Sequence, residues 1–167
     1  MPTPKLNSMR FLEAHQVAYE PFTYEPDSRD AAEVAVKIGA PVSHVYKTLV
    51  VERPGNPKPV LIMIAADRHL NLKKFAAAIG EKKVNMAAHA DAERMTGLKV
   101  GGISALALVH KRWPVYIDQP ATTLEHIYIS AGQRGINLRV PVKDLIRVLN
   151  VTVVEATDAD TPEPPVE

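Results

Sequence analysis

At 167 residues the chain has room for one domain built on a single core. Hydrophobic residues make up 46% and charged residues 23%, an ordinary globular balance that argues against fibrous, collagen-like and membrane-spanning classes. Cysteine is absent, which excludes disulfides, thiol nucleophiles and cysteine zinc cages, and the net charge of +1 hides an uneven distribution.

That unevenness lies at the C-terminal end. Glu155, Asp158, Asp160, Glu163 and Glu167 stand in a stretch without Lys or Arg, so the remaining body has 20 basic and 14 acidic residues and carries +6. A modestly basic body suits a polyanionic partner, and it equally suits an ordinary solvated surface. The most apolar run, Val60 to Ala66, is too short to span a bilayer. No apolar signal core follows Met1-Pro-Thr-Pro-Lys5, so a cytoplasmic protein without a membrane partner is expected.

Along the chain, Thr3 and Pro4 are suited to open a first helix carrying Leu6, Met9, Phe11 and Leu12. Tyr19 to Tyr24 alternates as a strand, and Ser28 or Asp30 caps a helix that Gly39 ends. Two β-branched runs, Val45 to Glu52 and Pro59 to Ala66, flank the turn residues Arg53 to Lys58 and read as a hairpin. Asn71 caps a third helix that ends at Gly80, and a short fourth helix covers Ala90 to Met95 before Gly97. Val115 to Asp118, Ile127 to Ser130 and Ile136 to Val140 read as strands. Pro141 opens a last helix through Leu149, and Val151 to Val154 suits a closing strand. Mixed elements with a strong hairpin signal predict an α+β fold, one compact domain over residues 1–154 with a mixed, largely antiparallel sheet. The Pro-rich acidic segment 155–167 cannot bury enough apolar surface to offset its ordering entropy and is expected to be a disordered tail.

Three segments stand out chemically. Gly97-Leu-Lys-Val-Gly101-Gly102-Ile103-Ser104 is either a ligand loop, in which glycines let backbone amides approach closely, or a tight structural turn. It matches neither a Walker loop nor a dinucleotide fingerprint. Ser130-Ala-Gly132-Gln-Arg134-Gly135 follows a strand, so Ser130 could face a site and Arg134 a phosphate; a strand-to-strand turn with a solvated Arg is the plainer reading. Lys47 shares a strand face with Val45 and Leu49, either guarding an edge or aiming a charge into a cavity. The six histidines lack metal-ligand spacing, so no metal is expected, and aromatics at 5% are too few for a base-stacking sheet.

Taken together, Phe22-Thr-Tyr24-Glu, Val45-Tyr-Lys47-Thr48-Leu49, Leu72-Lys-Lys74, Gly97 with Val100-Gly-Gly-Ile-Ser104, Ile117-Asp118 and Tyr128-Ile-Ser130-Ala-Gly132 with Arg134-Gly135 resemble the YbaK family of aminoacyl-tRNA deacylases. These are relatives of the editing domain inserted in bacterial prolyl-tRNA synthetases. The resemblance spans Lys5 to Val154 and implies a curved mixed sheet with helices packed around it. It implies trans-editing, the release of a wrong amino acid, Cys or Ala, from tRNA(Pro), without a cofactor. It implies further that Lys47 lines the pocket and holds the tRNA end, with the Gly101 and Gly102 backbone beside the ester. Tyr24, Thr48, Ile103, Ser104, Asp118, Ser130, Gly132 and Arg134 then form or support substrate binding. The expected partners are aminoacyl-tRNA and, in a transient complex, prolyl-tRNA synthetase.

The chain departs from the family pattern at Ala105 and Ala107, where Pro and Gly are usual, and at Pro26, where the name-giving branch has His. Losing a φ-locked proline alters the loop, so a non-catalytic module that binds the tRNA acceptor end or a synthetase is the competing expectation. A small-nucleotide binder is a third.

Overall fold

The computed structural model describes residues 5–27 and 30–159. The helix start proposed at Thr3 and Pro4, and the alternative cap Ser28, lie outside the described residues. Helix α1 (Asn7–Ala14) turns Ser8, Met9 and Leu12 inward, and strand β1 (Glu20–Thr23) follows it. Asp30 caps α2 (Ala31–Ile38) by accepting from Ala32 N–H, and Gly39 ends it with φ +72°, a left-handed conformation that glycine adopts without strain.

The hairpin comes next. Strand β2 (Tyr46–Arg53) pairs antiparallel with β3 (Asn56–Ala65), with a register shift between Val51 and Arg53. From Val60 to Ala65 every residue of β3 is buried, whichever face it points to. That is why its sequence is a continuous apolar run rather than an alternation. After β4 (Arg68–Leu70), Asn71 caps α3 (Leu72–Ala78) by accepting from Lys74 N–H. A two-residue strand β5 (Asn85–Met86) leads into α4 (His89–Thr96), which Gly97 ends at φ +74°. The rest of the chain supplies β6 (Val115–Asp118), β7 (His126–Ser130), β8 (Ile136–Pro141), α5 (Val142–Leu149), β9 (Thr152–Val154) and β10 (Thr157–Ala159).

Five strands form one sheet in the order β5-β2-β3-β6-β9, antiparallel on the β5 side of β3 and parallel on the β6 side. A second sheet, β1-β8-β7, is antiparallel throughout. An isolated parallel bridge from Val45 to Tyr128 joins the two. Tyr46, Val50, Leu61, Met63 and Ile117 face a core shared with the second sheet and α5. Val51, Val60, Ile62 and Ile64 face a smaller one with Phe75 and Ala76 of α3. Each fully buried Ile or Met here stabilises the fold by about 1.5–3 kcal/mol. The α+β class and mixed sheet are as the sequence predicts.

The C-terminal boundary is not. Ordered pairing runs past Val154: Thr157, Asp158 and Ala159 pair antiparallel with Leu70, His69 and Arg68. The physical reason is a buried anchor. Asp118, 2% exposed, accepts from Ala156 N–H at 2.9 Å and from the Thr157 hydroxyl, and lies 3.5 Å from Arg68 Nε. The first residues of the supposed tail thus satisfy a carboxylate that would otherwise be buried without donors. Residues 160–167 lie outside the described residues.

Candidate active site

Strand β2 has an incomplete edge. On the side away from β3 it pairs with β5 only through Val51 and Glu52, and with β7 only through the Val45 bridge. Between these points no ladder among the described residues covers Lys47 to Leu49 on this side. Ala87 N–H donates to Val50 O across this edge. Strand alternation therefore turns the Thr48 amide and carbonyl the same way. A cavity of about 360 Å³ occupies the gap, within the usual range for small-ligand sites.

Its walls come from seven separate segments of the chain. Ala31 and Val34 of α2, with Met86, Ala87 and Ala92 around β5 and α4, make one side apolar. Val100, Gly101 and Ile103 form a loop wall; Ser130 and Asn137, paired across β7 and β8, supply polar groups, as does Tyr24. Lys47 is the only Lys or Arg among the described lining residues, half-buried and without a hydrogen bond or ion pair to any described residue. Burial pushes the Tyr24 phenol up, against the opposing effects of a Gly135 backbone hydrogen bond and Lys37, so Tyr24 stays a neutral donor near pH 7. The Ser130 hydroxyl oxygen accepts from Gly132 N–H at 3.1 Å, which leaves its proton to donate into the cavity. The arrangement thus offers the Lys47 cation, several neutral donors, the His89 ring, the Asp30 carboxylate that caps α2 and an apolar wall; Lys47 and the donors suit an anionic ligand with a small apolar part.

The glycine loop is braced from behind. Gly102 N–H donates to Lys99 O, closing a tight turn. A Cβ at Gly102 would come 2.8 Å from Arg134 N and 3.0 Å from Gln133 C, so the loop packs flush on the backbone of the second glycine-rich turn. Ser104 is fully buried; its hydroxyl accepts from Leu106 N–H and caps a short 3-10 turn at Ala105–Ala107. The Ala107 methyl would lie 2.8 Å from a Cβ at Gly132, where φ is +106°.

Of the residues singled out from sequence, Tyr24, Lys47, Thr48, Gly101, Ile103 and Ser130 line the cavity together. Gly102, Ser104, Gly132 and Arg134 stand behind it in the two braced turns, and Asp118 sits at the β10 anchor. Sequence reasoning passed over Val34, Met86, His89 and Asn137. Only Asn137 carried a signal: a polar residue on the otherwise apolar run Ile136 to Leu138, where it is 4% exposed. Among the described residues no group of His, Asp and Glu is placed to hold a metal ion. No helix among the described residues is long and apolar enough to cross a membrane.

A family model described as the aminoacyl-tRNA editing domain matches residues 25–148. The chain belongs to this family. The chain is 35% identical, over 92% of its length and 93% of the relative's, to an Enterococcus faecalis protein described as a candidate Cys-tRNA(Pro)/Cys-tRNA(Cys) deacylase, EbsC. It is also 34% identical to a proline–tRNA ligase of Geobacter metallireducens, over 46% of this chain but only 13% of the ligase. Among solved structures, APE2540 superposes with a TM-score of 0.83, covering 92% of this chain and 100% of that one at 20% identity. A candidate trans-editing enzyme for prolyl tRNA synthetase superposes with a TM-score of 0.77, covering 93% and 100% at 20% identity. At that identity the last two speak for the fold.

Proposed function

We propose that this editing domain acts in trans, releasing a wrong amino acid, cysteine in the first instance, from the 3′ end of tRNA(Pro). The likeness to EbsC over nearly its whole length, against a small share of the ligases, supports action outside a synthetase. The observation that carries the reading is the cavity at the open edge of β2, which Lys47, the Gly101 loop and an apolar wall line together. Lys47 holds the ribose–phosphate end as a point charge, and the apolar wall receives a small side chain.

The reaction is addition to an ester. A water, or the thiol of a cysteinyl group, attacks the carbonyl carbon and gives up its proton. The carbonyl electron pair moves onto oxygen, then returns as the bond to the ribose oxygen breaks, and that oxygen takes up a proton. Catalysis requires donors placed where the oxyanion forms, and no protein nucleophile is needed. This work belongs in the cytoplasm, where charged tRNA is made and used. Prolyl-tRNA synthetase is the natural source of tRNA selectivity for a domain of this size.

The direct test is deacylation of cysteinyl- and alanyl-tRNA(Pro), with prolyl-tRNA(Pro) as control. Selective release of cysteine, with prolyl-tRNA spared, is expected; alanine release would widen the substrate class. Tight binding with release no faster than the spontaneous rate would select the non-catalytic module. Ala105 and Ala107 favour that second reading, but Ser104 caps their turn without the usual proline.

A further inference from the structure

We infer that Arg134 and Glu93 are positioning residues that clamp Val100 and thereby aim the Gly101 N–H into the cavity. The inference rests on the deacylase reading and assigns Arg134 a place behind the site instead of a phosphate contact within it.

The clamp closes on one residue from both ends. Val100 N–H donates to Glu93 Oε2 at 2.8 Å, and Val100 O accepts from Arg134 Nε at 2.6 Å. Glu93 comes from α4 and Arg134 from the turn between β7 and β8, so two separate parts of the fold meet on this loop. Val100 O and Gly101 N–H belong to the same planar trans peptide and point in opposite directions. Arg134 does not line the cavity, whereas Val100 and Gly101 do. A carbonyl turned back to the guanidinium therefore turns its partner N–H forward into the cavity. The guanidinium charge also polarises this peptide and makes its N–H a stronger donor.

The two glycines then have different tasks. Gly101 has φ +92°, a conformation that ordinary side chains resist, and it presents the donor. Gly102 has already spent its N–H on Lys99 O, and its lack of a Cβ lets the loop sit against Arg134 N. The donor assigned to the ester oxyanion is thus Gly101 N–H. Its direction is set by side chains that never touch substrate.

The experiment is steady-state deacylation of cysteinyl-tRNA(Pro) by wild type, Arg134→Ala, Arg134→Lys, Glu93→Ala and Glu93→Gln across a salt series, with thermal unfolding of each. A misaimed donor costs roughly 10- to 100-fold in rate. Arg134→Ala should lose that factor in kcat with KM within about twofold and the salt slope of KM unchanged. Added methylguanidinium should restore part of its kcat, and Glu93→Gln, which keeps an acceptor for Val100 N–H, should recover most of what Glu93→Ala loses. A raised KM with unchanged kcat and a flatter salt slope would overturn the proposal and return Arg134 to phosphate binding. Wild-type kcat in both alanine variants would also overturn it. Should Arg134→Ala not fold, Arg134→Lys carries the same reading, with a kcat loss expected and an intact KM. Inactive wild type would strike the deacylase reading itself, whereas active wild type beside unaffected variants strikes only the clamp.

Discussion

Lys47 and Tyr46 are chain neighbours that both border the cavity but differ in burial. Lys47 reaches into the cavity from the open edge of β2 and bears little of the packing. Replacing it with alanine should lower kcat/KM for cysteinyl-tRNA(Pro) by about 100-fold. Stability should stay within about 0.5 kcal/mol, as denaturant midpoints will report. Tyr46 is 2% exposed, and its hydroxyl has no hydrogen-bond partner among the described residues. Burial, then the charges of Asp118 and Asp67, push its phenol well above the ordinary value of 10. The folded state therefore holds that proton more tightly than the unfolded chain does. Its stabilising contribution is complete below pH 10 and is lost as pH rises above 10 toward the folded value. Tyr46→Phe removes both the unpaired hydroxyl and this alkaline loss, so it should raise stability by about 1 kcal/mol at pH 7 and flatten the decline above pH 10. Urea unfolding at a series of pH values measures both.

At the scale of elements, the latch between β4 and β10 depends on a carboxylate from a third strand. Asp118 ends β6, yet its oxygens hold Ala156 N–H and the Thr157 hydroxyl, while Arg68 donates to that hydroxyl from β4. Asn71 and Lys74 extend the network to Asp158 at the surface. Asp118→Ala leaves these donors facing an empty buried space and should cost about 3 kcal/mol by denaturant titration. Asp118 does not line the cavity, so the deacylation rate per folded molecule should hold. A rate loss without loss of stability would return Asp118 to the substrate-supporting role that family resemblance implies. Elements also differ in how far sequence disclosed them. The hairpin strands, α2, α3 and α4 announce themselves by β-branched runs, capping side chains and terminal glycines within their own residues. The two- and three-residue strands β4, β5 and β10 do not, because each exists only through a partner elsewhere in the chain.

For the whole molecule, the relevant quantity is the charge of the body against that of tRNA. The chain through Ala159, with 20 basic and 16 acidic residues, should contribute affinity through counterion release. KM for charged tRNA is therefore expected to rise steadily with salt, while kcat stays nearly constant between 50 and 300 mM, values chosen to span roughly the physiological Debye length. A KM indifferent to salt would mean that recognition rests on the 3′ end alone.

Composition, periodicity and capping residues by themselves determined the α+β class, the hairpin, most helix limits and the two glycine-rich turns. These are local properties, written by side chains on their own backbone. Family motifs added Tyr24, Lys47, Thr48, Gly101, Ile103 and Ser130 as a group, and the folded chain brings those six around one cavity. Tertiary structure alone decided that the cavity lies where β2 lacks a neighbour, and that Val34, Met86 and His89 help to line it. It also decided that Arg134 and Glu93 close on Val100 from opposite sides, and that pairing continues to Ala159. An apolar residue has the same letter whether it fills a core or walls a pocket. Which of the two it does is set by what the fold leaves empty beside it.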